Sequence, residues 1–493
     1  MTRWSKMFLP SLLALFCSGS AVSTDSLDEK AVLSAMKKAA DFMLNDVSNG
    51  GGFVSLYTED LSEQWGEVPA RKSMIWVQDP GTVGVGNVLL ASYKATGDAY
   101  FLEQAKKVAG ALIFGQHPSG GWHYFVDFDP EGIEKWYEEV GSNCWGWEEF
   151  YHFCRNCTFD DHVTIGAAEF LLDLYVATLD PEYRVPLEKA IGFVLESQYP
   201  RGGWPQRYPP CEDRSGEAWV DYTAYYTYND GVIIDSIFFL LKADESLGND
   251  ECREAALRGM DFVILSQLGT PQAGWAQQYD MNLRPAAARS YEPAGLSPSE
   301  TAANIRYLLT FYKIAGDRKY LRGIPDALSW LDSAKLPPGH SDQGHTHAQF
   351  VEVGTDRPLY AHREGSSRRD GRYWVDYTPA NFPGHYGMQM KLDVAPLRKE
   401  YERVFALTPE EARAEYQKEK SAQPAVPVVS AETIQGLVDS MNEKGAWIED
   451  LSAPDYTDWK FKPSRHFRGI STRTFTNNMN ALLYYLKQGD DGR

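Results

Sequence analysis

Positive charge is scarce in this chain. Its 48 Lys and Arg stand against 68 Asp and Glu, a formal net charge of −20. Binding a phosphate backbone needs clustered basic side chains, so nucleic acid is excluded as a partner. A polyanionic substrate is admitted only where a local cationic patch or a bound metal ion offsets the overall sign. Cysteine is scarce too, at six residues. Beyond the N-terminus no apolar stretch is long enough to span a membrane. A zinc site has little to stand on: Cys144, Cys154 and Cys157 lie near His152, but no second Cys or His pair follows at standard spacing.

The short apolar run at 7–16 follows Arg3 and Lys6 and precedes Ala21-Val22-Ser23. It reads as a secretory signal covering 1–23, so the mature protein is expected to be secreted or periplasmic. Removing Cys17 leaves five cysteines, and an oxidising compartment permits one or two disulfides. Closeness in sequence points to a local bridge among Cys144, Cys154 and Cys157.

Aromatic residues are abundant, with 14 Trp and 28 Tyr. Such rings stack on sugars, and they also simply bury area. Four of them end a turn that repeats: Gly51-Gly52-Phe53, Gly120-Gly121-Trp122, Gly202-Gly203-Trp204 and Gly274-Trp275, spaced 69, 82 and 71 residues apart. Three of the turns follow a glutamine, namely Gln116, Gln198 and Gln267. Before each turn apolar residues recur at helical spacing, and a second helical pattern follows after a polar loop. The repeating unit is therefore helix, Gly-aromatic turn, loop, helix. Two kinds of helix, one more polar and one more apolar, predict an all-α fold: an α/α toroid of helical hairpins with long irregular loops. An open helical solenoid is the alternative.

In a toroid the inner helices all start at one rim. Acids stand at or just before those starts: Asp79, Asp160 with Asp161, Asp230 and Glu300, at spacings of 81, 70 and 70. Each alone reads as a helix cap. Together they read as an oxygen-ligand cation site. The toroid is expected over 24–400, with 338–400 as an irregular lobe. A charged helix and linker follow at 401–429, then a C-terminal helical segment at 430–493.

The distinctive stretches are GGWPQRYP at 202–209, YTYNDGVI at 226–233, and GWAQQYD with RPAAARSYEPAGLSPSE between 274 and 300. Their order and spacing resemble the pectate lyases of polysaccharide lyase family 10. The resemblance implies cleavage of a uronate polymer, polygalacturonate first, by Ca²⁺-assisted β-elimination. It implies Asp160, Asp161 and Asp230 as Ca²⁺ ligands and Arg289 as the base at C5 of the sugar, with an alkaline optimum. Read from its neighbours alone, Arg289 is equally a partner for Glu292 or Glu300. Arg306 is a second candidate, inside a helical pattern. Arg369, in Arg369-Asp370-Gly371, resembles a family arginine that binds substrate carboxylate. The family's paired arginines before a Gly-Tyr are missing, since the stretch reads ANFPGHYGM. Arg368, Arg372 and His385 are the nearby substitutes.

Asn229, Trp204 and Tyr208 complete the expected substrate contacts. For Trp204 and Tyr208, packing between repeats is the competing reading. The expected partner is an acidic polysaccharide, and the protein is expected to be a monomer. Three other classes stay open: a toroid hydrolase using two rim carboxylates, a glycan-binding lyase homologue without activity, and a terpene cyclase-like toroid. The last lacks a clear Asp-rich motif here.

Overall fold

The computed structural model describes residues 28–144, 150, 154–211, 221–341, 343–364, 372–383, 386–422, 426–454 and 463–490. The expected signal segment, Arg368, Arg369 and His385 lie outside them. Fourteen α-helices are described. In the N-terminal half these are α1 (Glu29–Phe42), α2 (Thr82–Thr96), α3 (Ala99–Phe114), α4 (Gly132–Glu139), α5 (Val163–Thr178), α6 (Pro181–Glu196), α7 (Val232–Leu247) and α8 (Asp250–Leu265). Then come α9 (Pro298–Ala315), α10 (Ile324–Ser333), α11 (Ala395–Phe405), α12 (Pro409–Ser421), α13 (Ala431–Asp439) and α14 (Thr472–Asp490).

Side-chain pattern sorts the central helices into two rings. In α5, residues 163–168 are buried without a break. A helix apolar all round belongs in the interior. In α8 only one face is buried, formed by Cys252, Ala255, Ala256, Gly259, Met260, Phe262 and Val263. Helices α2 and α3, α5 and α6, and α7 and α8 form hairpins closed by Gly97-Asp98, Leu179-Asp180 and Gly248-Asn249. The first residue of each closure is left-handed, at φ 67°, 54° and 67°. The second caps the next helix, its side chain accepting from the backbone N–H of Tyr100, Glu182 or Glu251. A left-handed stop followed by an Asp or Asn start reverses the chain in two residues. The inner helices pack in the order α14, α2, α5, α7. Phe238 of α7 meets Tyr307 and Phe311 of α9, and α12 packs on α9. The result is the α/α toroid expected from the repeat.

The Gly-aromatic turns stitch this ring together. The indole N–H of Trp122, Trp204 and Trp275 donates to the carbonyl of Leu112, Val194 and Val263, each at 2.8 Å. These are carbonyls in the last turn of the preceding outer helix, where backbone acceptors lack helical partners. The glutamine amide reaches further. Gln198 Nε2 donates to Gly202 O and to Ala255 O of the next outer helix, at 2.9 and 2.8 Å. Gln116 does the same to Gly120 and Pro186, and Gln267 to Ala273 and Gly323. Gly51, Gly120 and Gly202 hold φ of 92°, 107° and 105°. A Cβ on Gly202 would stand 2.3 Å from Arg258 O. Both backbone angle and space therefore demand glycine there.

Three expectations are corrected. The 430–493 segment is not purely helical. Glu449–Pro454 pairs with Pro463–Ser471, and that strand pairs with Leu56–Thr58 near the N-terminus. Helix α14 then packs on α1 and α2, so the C-terminus completes the ring. Pairing across some 400 residues leaves no local mark in the sequence. The boundary at residue 400 falls inside α11, and the 338–400 lobe contains paired strands at Phe350–Val351, Pro358–Glu364 and Arg372–Asp376. Finally, Cys154 is bonded to Cys211, while Cys144, Cys157 and Cys252 are buried thiols. The antiparallel pairing of Cys157–Thr158 with Arg207–Tyr208 brings 154 and 211 opposite each other. Cys157 is held beneath the Gly121 turn, its sulfur 3.6 Å from Ser119 Oγ.

Gly202→Ala is expected to lower unfolding free energy by about 2–4 kcal/mol, from left-handed strain plus collision with the next helix. Gly192→Ala, where a Cβ meets nothing within 4 Å, should instead raise it by about 0.5–1 kcal/mol. Denaturant titration of the two variants checks the contrast; equal effects would remove the turn from its structural role.

Candidate active site

Two inner helices begin in the same unusual way. Asp160–His162 and Asn229–Gly231 each form a single 3₁₀ turn ahead of α5 and α7. Asp161 and Asp230 occupy equivalent places, both left-handed, at φ 48° and 52°. Acidic side chains tolerate this region better than most, through local hydrogen bonding. The two turns pack on each other at the mouth of the ring. Asp160 thus corresponds to Asn229 and Asp161 to Asp230, a spacing of 69 rather than the 70 read from the sequence.

Arg289 arrives from a third repeat, on the loop between the strands Gln278–Tyr279 and Leu296–Ser297. A tight turn holds it: Glu292 N–H donates to Arg289 O at 2.8 Å, and Arg289 N–H donates to Glu292 Oε2 at 3.1 Å. The guanidinium, only 6% exposed, faces three carboxylates. Nη2 lies 2.7 Å from Asp160 Oδ2, and Nη1 lies 3.2 Å from Glu292 Oε1 and 3.4 Å from Asp230 Oδ2. Asn229 Nδ2 donates to Asp230 Oδ2 and Glu292 Oε1, at 2.8 and 3.0 Å. The Tyr124 hydroxyl bonds Asp160 Oδ2. The Tyr386 hydroxyl reaches Glu292 Oε1 at 3.4 Å and Gln277 at 3.1 Å. Gln78 Nε2 donates to Asp161 Oδ2 at 2.9 Å.

Charge at this mouth is unbalanced toward the negative. Burial pushes Asp230 well above the ordinary carboxylate range, the charges of Asp160 and Asp161 add to it, and Arg289 opposes. Glu292 is raised by burial against the pull of Arg289. Burial acts on Asp160 in the same sense, but there the guanidinium wins and the carboxyl stays low. One buried arginine therefore holds one acid ionised, while its neighbours are pushed toward keeping their protons. Two buried oxygens, Asp160 Oδ1 and Gln206 Oε1, accept no hydrogen bond among the described residues. Also among those residues, no group of three or more His, Cys, Asp or Glu is arranged to hold a metal ion.

Of the expected site residues, the structure brings Arg289, Asp160, Asp230 and Asn229 into one cluster, with Asp161 beside it. It places Trp204 elsewhere. That ring is fully buried with its N–H on Val194 O, so it offers no face to a sugar. Tyr208 is half-buried, edge-on to Phe193 at 5.8 Å. Arg306 lies exposed on α9 and donates to Ala302 O. The N–H of Glu300 is capped by Ser297 in the first turn of α9.

Sequence reasoning did not single out Tyr124, Gln78, Gln206, Gln277 or Arg207. Their common signal is register. Tyr124, Gln206 and Gln277 each stand two residues after a turn tryptophan, on the segment that leads into the rim. Arg207 follows at the next position, buried, with its guanidinium 5.6 Å from the Tyr124 ring centre.

Residues 147–375 match the family model described as pectic acid lyase. No curated protein matches the chain. Among solved structures, a family 10 polysaccharide lyase from Cellvibrio cellulosa is 19% identical, covering 66% of this chain and 97% of its own, with a TM-score of 0.43. A point mutant of that enzyme in complex with trigalacturonic acid is 19% identical over 68% and 97% of the two chains, with a TM-score of 0.41. A glycoside hydrolase family 76 mannosidase from Bacteroides thetaiotaomicron is 10% identical over 94% and 99%, with a TM-score of 0.42. Over residues 147–375, just under half of its length, the chain is thus similar to the pectic acid lyase family.

Proposed function

We propose that the protein is an exported lyase that cleaves a uronate polymer, polygalacturonate first, by β-elimination assisted by Ca²⁺. The observation that carries the reading is convergence. Asp160, Asp230 and Arg289 come from three separate repeats and meet within 3.4 Å at the mouth of the ring.

The reaction breaks the bond from C4 to the glycosidic oxygen. A base removes the C5 proton, a C4=C5 double bond forms, and the departing oxygen takes up a proton. The C5 proton is a poor acid until charge developing on the adjacent carboxylate is stabilised. Ca²⁺, when bound, supplies that stabilisation as a Lewis acid on the carboxylate. Asp160, Asp161 and Asp230 are the residues that would hold it. The donor set fits a hard cation, because Asp160 Oδ1 is buried without a donor and its neighbours are carboxylates. Among the described residues no three acids form a closed cage, so substrate carboxylate and water would complete the shell. Arg289 is the group assigned to the C5 proton. Glu292 orients it from two sides, through the backbone N–H and through Nη1. Asn229 keeps Asp230 and Glu292 in place. Export fits a Cys154–Cys211 disulfide, which an oxidising compartment favours. Among the described residues no helix is long and apolar enough to cross a membrane.

Polygalacturonate with Ca²⁺ is expected to give an ultraviolet-absorbing unsaturated product, at neutral or alkaline pH. EGTA should abolish the signal and added Ca²⁺ restore it. Flat traces on a panel of polyuronates would remove the lyase reading. New reducing ends without absorbance would replace it with hydrolysis, and oligomer binding without turnover with a glycan-binding role. Arg289→Lys keeps a cation among the acids and is expected to cut kcat/KM roughly a thousandfold with folding retained. Arg289→Ala leaves buried carboxylates uncompensated and should also cost about 3–5 kcal/mol of stability. Wild-type turnover in the lysine variant would move the base elsewhere.

A further inference from the structure

Gln206 lies in the GGWPQR segment and is 2% exposed. Its backbone carbonyl accepts from Phe159 N–H at 2.8 Å, which fixes the residue against the turn that begins at Asp160. Its side-chain amide bonds the Asp160 carboxylate. The other end of that amide, Oε1, is buried and accepts nothing among the described residues, and the same is true of Asp160 Oδ1. A buried acceptor without a donor is destabilising. Two such oxygens on adjoining side chains mark a place for a shared positive partner.

Register supports the same placement. The side chains two residues after Trp122 and Trp275 both end in the cluster. Tyr124 bonds Asp160, and Gln277 bonds the Tyr386 hydroxyl that also reaches Glu292. Gln206 is the member of this series that brings a neutral carbonyl oxygen to the cluster with no donor on it. Amide carbonyls are ordinary ligands of hard divalent cations.

We infer that Gln206 is an oxygen ligand of the divalent cation at this mouth, acting with Asp160, Asp161 and Asp230 through its side-chain carbonyl. The inference rests on the Ca²⁺ reading above and adds a ligand to it. It also assigns Gln206 a cost in the metal-free protein and a gain in the loaded one.

The test is a thermal-shift and calorimetric titration of the full chain with CaCl₂, starting from EDTA-treated protein. Ligand that binds only the folded state raises Tm in proportion to its affinity. For wild type a Ca²⁺-dependent rise in Tm is expected. Gln206→Leu, which removes the orphan oxygen, should have a metal-free Tm equal to or above wild type. Its Ca²⁺ affinity should fall at least tenfold, with most of the Tm rise lost. Gln206→Glu restores an oxygen with added charge and should bind Ca²⁺ at least as tightly as wild type. Wild-type Ca²⁺ affinity in Gln206→Leu overturns the inference and leaves the lyase reading standing. So does a wild-type protein that takes up no Ca²⁺, with or without trigalacturonate, yet turns over polyuronate. Loss of Ca²⁺ affinity in Gln206→Leu, in a protein that cleaves no polyuronate, upholds the ligand and discards the lyase.

Discussion

At the ends of three outer helices, α3, α6 and α8, the amide of a glutamine, the N–H of a tryptophan and a glycine without a side chain meet in one turn. The glutamine spans from its own turn to the next outer helix, as Gln198 does from Gly202 to Ala255. The indole closes the carbonyls of the helix just finished. The glycine lets the next helix approach to a distance at which a methyl group would collide with backbone. The indole is buried and the glutamine amide partly so, and polar atoms withdrawn from water must find a partner in the protein. The geometry that satisfies all of them at once is narrow. Repeating it around the ring sets the height and rotation of every inner helix.

That constraint is what lets acids far apart in the chain meet. In the Thr158 to Val163 and Thr227 to Val232 segments the strand after one turn leads directly into the next inner helix. The left-handed Asp161 and Asp230 make the bend between them. Threonine hydroxyls at the helix starts tie back to the turn aromatics: Thr164 to Trp122 and Thr301 to Trp275, at 3.1 and 3.0 Å. The side chains that face the ring mouth therefore hang from the same bonds that hold the ring. A loosened turn would disturb Asp160 through Thr164 before any residue near the chemistry had changed.

The ring was legible in the sequence because its signal is periodic and local. Glycine pairs, aromatics and glutamines recur at near-constant spacing, and the apolar patterns between them differ between inner and outer helices. The acids at the rim followed from the same period. Individual roles followed less well. Trp204 reads equally as a sugar platform or as turn packing, and only the hydrogen bond of its N–H to Val194 decides for packing. Arg289 was open between base and ion-pair partner, and the structure joins it to Glu292, Asp160 and Asp230 together. Tyr124 carried no motif, and Gln206 stood in the GGWPQRYP stretch with no role assigned to it, since their position relative to the turn gives them meaning. The Cys154–Cys211 bridge and the pairing of Pro463–Ser471 with Leu56–Thr58 depend on strand partners distant in sequence, where composition gives no guide.

The charge arrangement at the mouth has its own logic. One guanidinium cannot compensate Asp160, Asp230 and Glu292 when all are buried, and the raised carboxyls of Asp230 and Glu292 express the deficit. Protons relieve it in the metal-free protein at the expense of ligand strength. A divalent ion would relieve it without protons, and in the proposed site would also meet Asp160 Oδ1 and Gln206 Oε1, buried oxygens that no donor reaches among the described residues. Cation and arginine would then compete for the same carboxylates. Every carboxylate oxygen committed to a cation would be one fewer holding Arg289 as a guanidinium, so under the proposed mechanism the acids that argue against this arginine as a base are the means by which a bound ion would prepare it.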